Sequence, residues 1–322
     1  MTKQAETKYR IRNWAEYNKS LVQRGSITLW FSEESISKWH EAGKKNSKGR
    51  PRIYSDDAIL CALLIRVVYH LPLRALQGFL CSLILLMGLK LFSPSYSQIC
   101  RRARELHKEL KKLSSGHPCD IVFDSTGLKV YGEGEWKVRQ HGVSKRRTWR
   151  KLHIGIDPKS SEIILGELTS NGTGSGDAEV ARRLVRNAPK GTKKVFGDGA
   201  YDDLELRQEI EKLGAEAIIP PPRGAIVHRN TTDPALIKRN DAVKEIRGFG
   251  NDDEARKLWK IFKGYHLRSL VETTMYRIKQ ITGGNLRSRE YIRQQVEAHI
   301  KCLVINKMSK LGMPKGQWIK VA

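Results

Sequence analysis

The run Asp120-Ile-Val-Phe-Asp124-Ser-Thr-Gly-Leu-Lys-Val-Tyr131 marks where the character of this 322-residue chain changes. Three apolar residues end in an acid at Asp124, and residues 126–131 can continue that strand or pair with it. Outward from there, residues 151–156 and 162–169 read as two more strands, joined across the turn-rich Asp157-Pro-Lys-Ser. Residues 177–185 read as a helix, 194–198 as a strand that again ends in an acid, 202–213 as a helix, and 215–219 as a strand stopped by three prolines from position 220. Three strands followed by alternating helix and strand describe a mixed α/β sheet.

Ile-Val-Phe-Asp124 and Val-Phe-Gly-Asp198 each put a carboxylate at the end of an apolar run. In an open α/β sheet, ligands bind beyond the carboxyl ends of the strands. If the two strands are neighbours, both acids project from one edge. Clustered carboxylates repel unless cations neutralise them, and hard oxygen donors suit Mg²⁺ when the substrate is a phosphodiester. Two such ions about 3.5–4 Å apart can activate the attacking oxygen and stabilise the leaving one. The plainer alternative is that each acid caps a turn or pairs with a nearby lysine. Asp157 falls in a turn, Asp177 near a helix start where anions are favoured, and Asp202 where it would cap the helix after 198.

Residues 220–264 are polar and basic and read as an insertion of little core-forming power. A third acid follows in Tyr265-His-Leu-Arg268-Ser-Leu-Val-Glu272-Thr-Thr-Met-Tyr-Arg-Ile-Lys279. On a helix, Tyr265, Arg268 and Lys279 fall at roughly +20°, −40° and −20° from Glu272, one narrow stripe. Leu267, Val271, Met275 and Ile278 lie on a separate apolar face. The stripe suits a metal ion and a phosphodiester bound together; a surface helix with an Arg268–Glu272 pair is the other reading. An amphipathic helix over about 291–308 closes the domain, leaving a tail from 311.

Toward the N-terminus, residues 1–54 are basic and sparsely apolar, with 44–52 a charged linker. Ser55, Asp56 and Asp57 open a helix, Pro72 stops it and starts another to about Met87, and Ser95 with Gln98 forms a capping-box pattern before a third. That third helix carries Arg101, Arg102, Arg104, Lys108, Lys111 and Lys112. Three helices ending in a basic one resemble a helix-turn-helix module, with residues 95–104 in a major groove; a helical domain with a solvated basic face fits the same residues. Residues 55–115 are thus expected to form a helical, helix-turn-helix-like region, a candidate for DNA binding, ahead of an α/β domain expected over 116–310.

Lys and Arg number 59 against 34 Asp and Glu, a formal +25 that attracts polyanions, nucleic acid foremost. Five cysteines without metal-ligand spacing read as reduced thiols. The apolar run 79–92 is too short to span a bilayer and reads as a buried helix. A cytoplasmic protein without a membrane partner is expected. Trp136-Lys-Val-Arg139 and Lys145-Arg146-Arg147-Thr-Trp149 interleave cations and aromatics, which suits a phosphate backbone and an unstacked base, or equally a solvated hairpin. His141 and His153 lack partners at metal spacing, and the glycines of 172–176 form no phosphate loop.

Together, Asp124-Ser-Thr-Gly, Gly197-Asp198-Gly-Ala-Tyr-Asp202 and the Tyr-x2-Arg-x3-Glu-x6-Lys tetrad resemble the DDE transposases of bacterial insertion sequences, with the insertion-sequence-five family as the nearest branch. Asp124 and Asp198 lie 74 residues apart, as do Asp198 and Glu272, and the resemblance extends to Trp149-Arg-Lys-Leu-His153 and the Trp14–Tyr17 region. It implies a ribonuclease-H-like mixed sheet with flanking helices behind the all-helical N-terminal region. It implies that Asp124, Asp198 and Glu272 are catalytic metal ligands for two Mg²⁺ ions, replaceable by Mn²⁺. Lys279 and Arg268 would hold phosphates, and Tyr265 would pack against the strand. The implied activity is binding of terminal inverted repeats in double-stranded DNA, strand cleavage, and strand transfer into target DNA by a homo-oligomer. The alternative is a non-catalytic DNA-binding regulator derived from such an enzyme.

Overall fold

In the computed structural model, which describes residues 7–41, 52–107, 110, 113, 117–130, 149–170, 174–250 and 252–320, the chain divides into two units, Met1–Arg102 with Val304–Ala322 and Ala103–Leu303. In the first unit, β1 (Thr7–Ile11) pairs antiparallel with the last strand, Gly316–Lys320. Of the tail expected from 311, Leu311 ends the preceding helix and residues 316–320 form this strand.

Helices α1 (Trp14–Gln23), α2 (Ile27–Trp30) and α3 (Glu33–Ser37) follow, and Trp30, Phe31 and Trp39 are buried. Ser55 caps α4 (Asp56–Val68) by accepting from the Ala58 N–H at 3.0 Å, and Asp56 and Asp57 favour the same helix end. Helix α4 buries residues all round, including Ile59, Leu63 and Ile65, each worth about 1.5–3 kcal/mol when removed from water. Helix α5 (Leu73–Leu86) leaves it at 111°. Only Leu76, Leu80 and Ile84 of α5 are buried, whereas Leu85, Leu86 and, beyond the helix, Phe92 are exposed. The expectation of a buried helix thus holds for one face alone. No single helix among the described residues is long and apolar enough to cross a membrane. Ser95 and Gln98 form the expected capping box at α6 (Tyr96–Ala103): the Ser95 N–H donates to Gln98 Oε1 at 3.0 Å and the Gln98 N–H to Ser95 Oγ at 3.3 Å.

The second unit is built on one mixed sheet. Strands β2 (Ile121–Val130), β3 (Trp149–Ile156) and β4 (Ile163–Ser170) are antiparallel neighbours, and β5 (Lys194–Phe196) and β6 (Glu216–Ile218) add to the other side of β2 in parallel, in the order β4-β3-β2-β5-β6. This is the mixed α/β sheet with flanking helices that the sequence implied. The short β7 (Asn285–Leu286) pairs with the far end of β2. Alternation along β2 sends Ile121 and Phe123 to one face, where they join a core with Val180, Leu184, Tyr201, Leu206 and Ile210 from α7 (Asp177–Val185), α8 (Leu204–Lys212) and the turn between β5 and α8.

Residues 220–264 depart from the sequence expectation. They form α9 (Pro234–Gly248) and α10 (Asp253–Phe262), which bury Ala235, Ala242, Val243, Ile246, Ala255 and Trp259. The Trp259 indole N–H donates to Glu245 Oε2 at 2.7 Å. Asp233 before Pro234, and Asp252 before α10, are the N-cap signals that mark both helices in the sequence. Helix α11 (Ser269–Thr282) then packs on β2 and β3, burying Val271, Met275 and Ile278, and α12 (Tyr291–Leu311) follows.

Candidate active site

The parallel register of β2 and β5 puts Val122 opposite Phe196. Asp124 and Asp198 each follow two residues later, so both project from the same edge of neighbouring strands. Asp198 lies two residues beyond β5 and accepts from the Ala200 N–H at 2.8 Å, capping the short turn Gly199–Tyr201. The Ser125 N–H donates to Asp124 Oδ1 at 2.8 Å. Glu272 stands in the first turn of α11.

Arg268 joins all three acids. Its Nη2 lies 3.1 Å from Asp124 Oδ2 and 3.5 Å from Asp198 Oδ2, and its Nη1 donates to Glu272 Oε1. The acids differ in depth: their side chains are 16%, 38% and 54% exposed for Asp124, Asp198 and Glu272. Burial raises the Asp124 pKa above the ordinary carboxylate value, against the Ser125 N–H and Arg268, which lower it; Asp198 and Glu272 push it the same way as burial. Burial opposes the charge of Arg268, but Asp124, Glu272, Tyr265 and Asp198 outweigh it and raise its pKa.

Residues Tyr265–Arg268 form a 3₁₀ turn ahead of α11, not the first turn of one long helix as the periodicity predicted. Gly264, at φ 69°, takes the left-handed conformation that lets the chain turn from α10 into it. At three residues per turn rather than 3.6, the four-residue stripe is broken, yet Arg268 still reaches Glu272 across one turn. Tyr265 lies under Lys260, whose Nζ is 5.2 Å from the ring centroid, and burial pushes its phenol up to about 12. Lys279 is exposed on the second turn beyond Glu272. Arg268, expected beside phosphates, is placed among the carboxylates.

Among the described residues no three Asp, Glu, His or Cys side chains stand close enough as they are to form a metal cage. The donor chemistry nonetheless fits a hard divalent cation, since three carboxylates converge on one shared positive group. What closes the cluster is a guanidinium.

The expected DNA contacts scatter. Arg101 and Arg104 are exposed, and Arg104 lies 3.5 Å from Glu290. Arg102 is turned inward: it is buried and donates to the Tyr54 carbonyl at 2.8 Å and to Asp56 Oδ1 at 2.5 Å. It ties the end of α6 to the start of α4 rather than serving as a surface cation. Trp149 is exposed at the start of β3 and lies over Gly127, where a Cβ would come within 3.3 Å of the indole. Lys145, Arg146 and Arg147 lie outside the described residues, as do Trp136, Arg139, Lys108, Lys111, Lys112 and the linker up to residue 51.

Two buried groups escaped the sequence reading. Asp202 does not cap the helix after 198; Asp203 caps α8 instead, and the Asp202 carboxylate is bound between Arg207 at 2.7 Å and Arg239 at 3.0 Å. His153 is buried between Thr169 and Asp177. Alternation with Leu152 and Ile154 would place it on the opposite face of β3, and burial of consecutive residues 152–156 shows that both faces of this strand are covered.

A family model described as transposase DDE domain matches residues 115–307, and a second model of the same description matches residues 22–133. An uncharacterized protein of Aquifex aeolicus (strain VF5) is 24% identical over 220 residues, which cover 63% of this chain and 65% of that protein. The chain thus spans just under two thirds of that relative. Two solved structures are similar at low identity: a piggyBac transposase synaptic complex with hairpin DNA (10% identity, 89% of this chain and 75% of that one, TM-score 0.40) and a Drosophila P element transposase strand transfer complex (12%, 86% and 84%, TM-score 0.30).

Proposed function

The chain belongs to the transposase DDE domain family, and from that premise we propose that it cuts double-stranded DNA at the terminal inverted repeats of an insertion sequence and joins the ends to target DNA, with Asp124, Asp198 and Glu272 as its catalytic acids. The observation that carries the reading is the convergence of these three carboxylates, from two neighbouring strands and one helix, on a single guanidinium. Members of the family generally use divalent metal ions; a pair of Mg²⁺ ions, or Mn²⁺ in their place, would supply Lewis-acid activation of the attacking oxygen and charge relief at the leaving one. Asp124, Asp198 and Glu272 would hold them.

The remaining roles follow from the chain's own groups. Asp124, deepest of the three, is fixed by the Ser125 N–H and presents Oδ2 to the centre. Asp198 is held by the turn it caps, so its second oxygen points the same way. Glu272, half exposed at the start of α11, is free to adjust when a phosphodiester arrives. Arg268 carries the positive charge beside which a phosphate would settle, with Tyr265 and Lys279 flanking the approach. Exposed Arg101, Arg104 and Trp149 are further candidate DNA contacts, and synapsis of two ends implies a homo-oligomer acting in the cytoplasm.

The test is Asp124→Asn. Cleavage of a terminal-repeat duplex should fall by at least about 10³-fold while the affinity for that duplex stays within about threefold, because one ligand oxygen is exchanged for an amide. Parallel loss of binding and cleavage would assign Asp124 a structural role and leave the regulator reading standing.

A further inference from the structure

Helix α11 has two faces. Val271, Thr274, Met275, Ile278 and Thr282 are buried, and at 100° per residue they occupy one side of the helix, about 100° wide. Glu272, Tyr276 and Lys279 are exposed and fall within about 60° of one another on a separate shoulder. Helix neighbours three and four residues apart have Cβ atoms about 5–6 Å from each other, so Tyr276 stands between the acid and the lysine. Glu272 shows which way this shoulder points, because its carboxylate meets the guanidinium that also holds Asp124 and Asp198.

Tyr276 is 64% exposed. Among the described residues its hydroxyl has no hydrogen-bond partner and its ring no aromatic or cationic neighbour. Tyrosine is a middling helix former, and an aromatic side chain stabilises a fold by burying about 150–250 Å²; this one serves neither end. Tyr265 differs, since Lys260 already lies over its ring. Helical side chains lean toward the N-terminus, so the Tyr276 ring covers the turn that carries Glu272. At 1.5 Å per residue, Tyr276 stands about 6 Å and Lys279 about 10.5 Å beyond Glu272 along the axis. Lys279 has no carboxylate partner among the described residues, which leaves its charge available to a phosphate. A DNA strand with its scissile phosphate at the acids and a neighbouring phosphate at Lys279 lays one nucleotide against Tyr276. Bases inside a duplex are covered on both faces, and an unpaired base offers a face to a side chain.

We propose that Tyr276 is a DNA-contact residue whose ring stacks on one unpaired base beside the scissile phosphate. The inference rests on the reading of Asp124, Asp198 and Glu272 as the site of DNA cleavage. Stacking uses the π face and not the hydroxyl, so phenylalanine should serve in its place.

The test uses duplexes carrying the sequences that flank the chain's own gene, each with a single abasic site at successive positions around the cut, which is mapped beforehand with Mg²⁺. Fluorescence anisotropy in EDTA then follows binding of the full chain with cleavage left out of the readout. Tyr276→Ala should lower affinity for the intact duplex by about tenfold, within the range that stacking of one base on an aromatic side chain contributes. Tyr276→Phe should lower it by less than about twofold. At one position adjoining the cut, removing the base should cost the wild type about tenfold and Tyr276→Ala less than about twofold, since the lost base has no ring left to lose. Substitution of so exposed a side chain leaves the fold intact. Wild-type affinity in Tyr276→Ala would overturn the contact, as would base and side-chain losses that add at every position. Tyr276→Phe as weak as Tyr276→Ala would assign the effect to the hydroxyl and overturn stacking. A wild-type chain that binds these duplexes no more tightly than an unrelated one would instead overturn the DNA-cleavage reading on which the contact depends.

Discussion

Removing the charge at Arg268 should expose the repulsion that it offsets. In Arg268→Ala three carboxylates lose their common cation. Asp124, whose side chain is 16% exposed, is the costly partner, while Glu272, at 54%, counts as a surface pair. Breaking a buried pair costs about 3–5 kcal/mol and an exposed one about 0.2–1 kcal/mol. Asp124 is only partly buried, so we expect a net loss of about 2–3 kcal/mol at pH 7, or about 5–10 °C in Tm. The pH dependence gives the sharper signature. Burial already raises the Asp124 pKa and Arg268 counteracts it, so the variant's pKa lies higher still. A raised carboxyl adds stability below its unfolded value, near 4, and loses it as pH rises through the folded value. The gap between wild type and variant should therefore close toward pH 4 and open between there and pH 7. Thermal denaturation in EDTA across that range measures it. An equal loss at pH 4 and pH 7 would mean that Arg268 acts by packing, and no loss at either would refute the electrostatic account.

Further outcomes follow from groups away from the acids. Asp202→Asn leaves the buried Arg207 facing Arg239 without a carboxylate, and should cost about 3–5 kcal/mol in chemical denaturation; a loss below about 1 kcal/mol would show that both arginines find other partners. Arg102→Ala should lower Tm while leaving the salt dependence of DNA binding unchanged, since its guanidinium is bound to Tyr54 and Asp56; a slope shallower by about one unit would return it to the DNA contacts. Ser55→Ala should cost about 1 kcal/mol through loss of the α4 cap, which denaturant titration resolves.

Much of this architecture is legible in the chain because local rules carry it. The apolar runs ending at Asp124 and Asp198, the Ser55 cap and the Ser95–Gln98 box depend on neighbours within a few residues, and each appears where its sequence places it. What the sequence does not carry is register and direction. Nothing local sets Val122 opposite Phe196, the pairing that brings the two aspartates together. A 100° period cannot distinguish a 3₁₀ turn at 265–268 from the helix that follows. Helices α9 and α10 hide behind polar composition, because each buries only a narrow strip. Arg102 reads as one of a row of surface cations until α6 is set against α4, and Asp202 reads as a cap until Arg239, 37 residues on, is folded back to it.

The most direct test of the central claim uses the purified chain with DNA bearing the sequences that flank its own gene, with Mg²⁺ or Mn²⁺, resolved on a denaturing gel beside Asp198→Asn. The account predicts discrete cuts at the element's ends that require the metal and vanish in the variant. Cuts that persist in Asp198→Asn or without a divalent ion, or binding with no cuts in either protein, would contradict it.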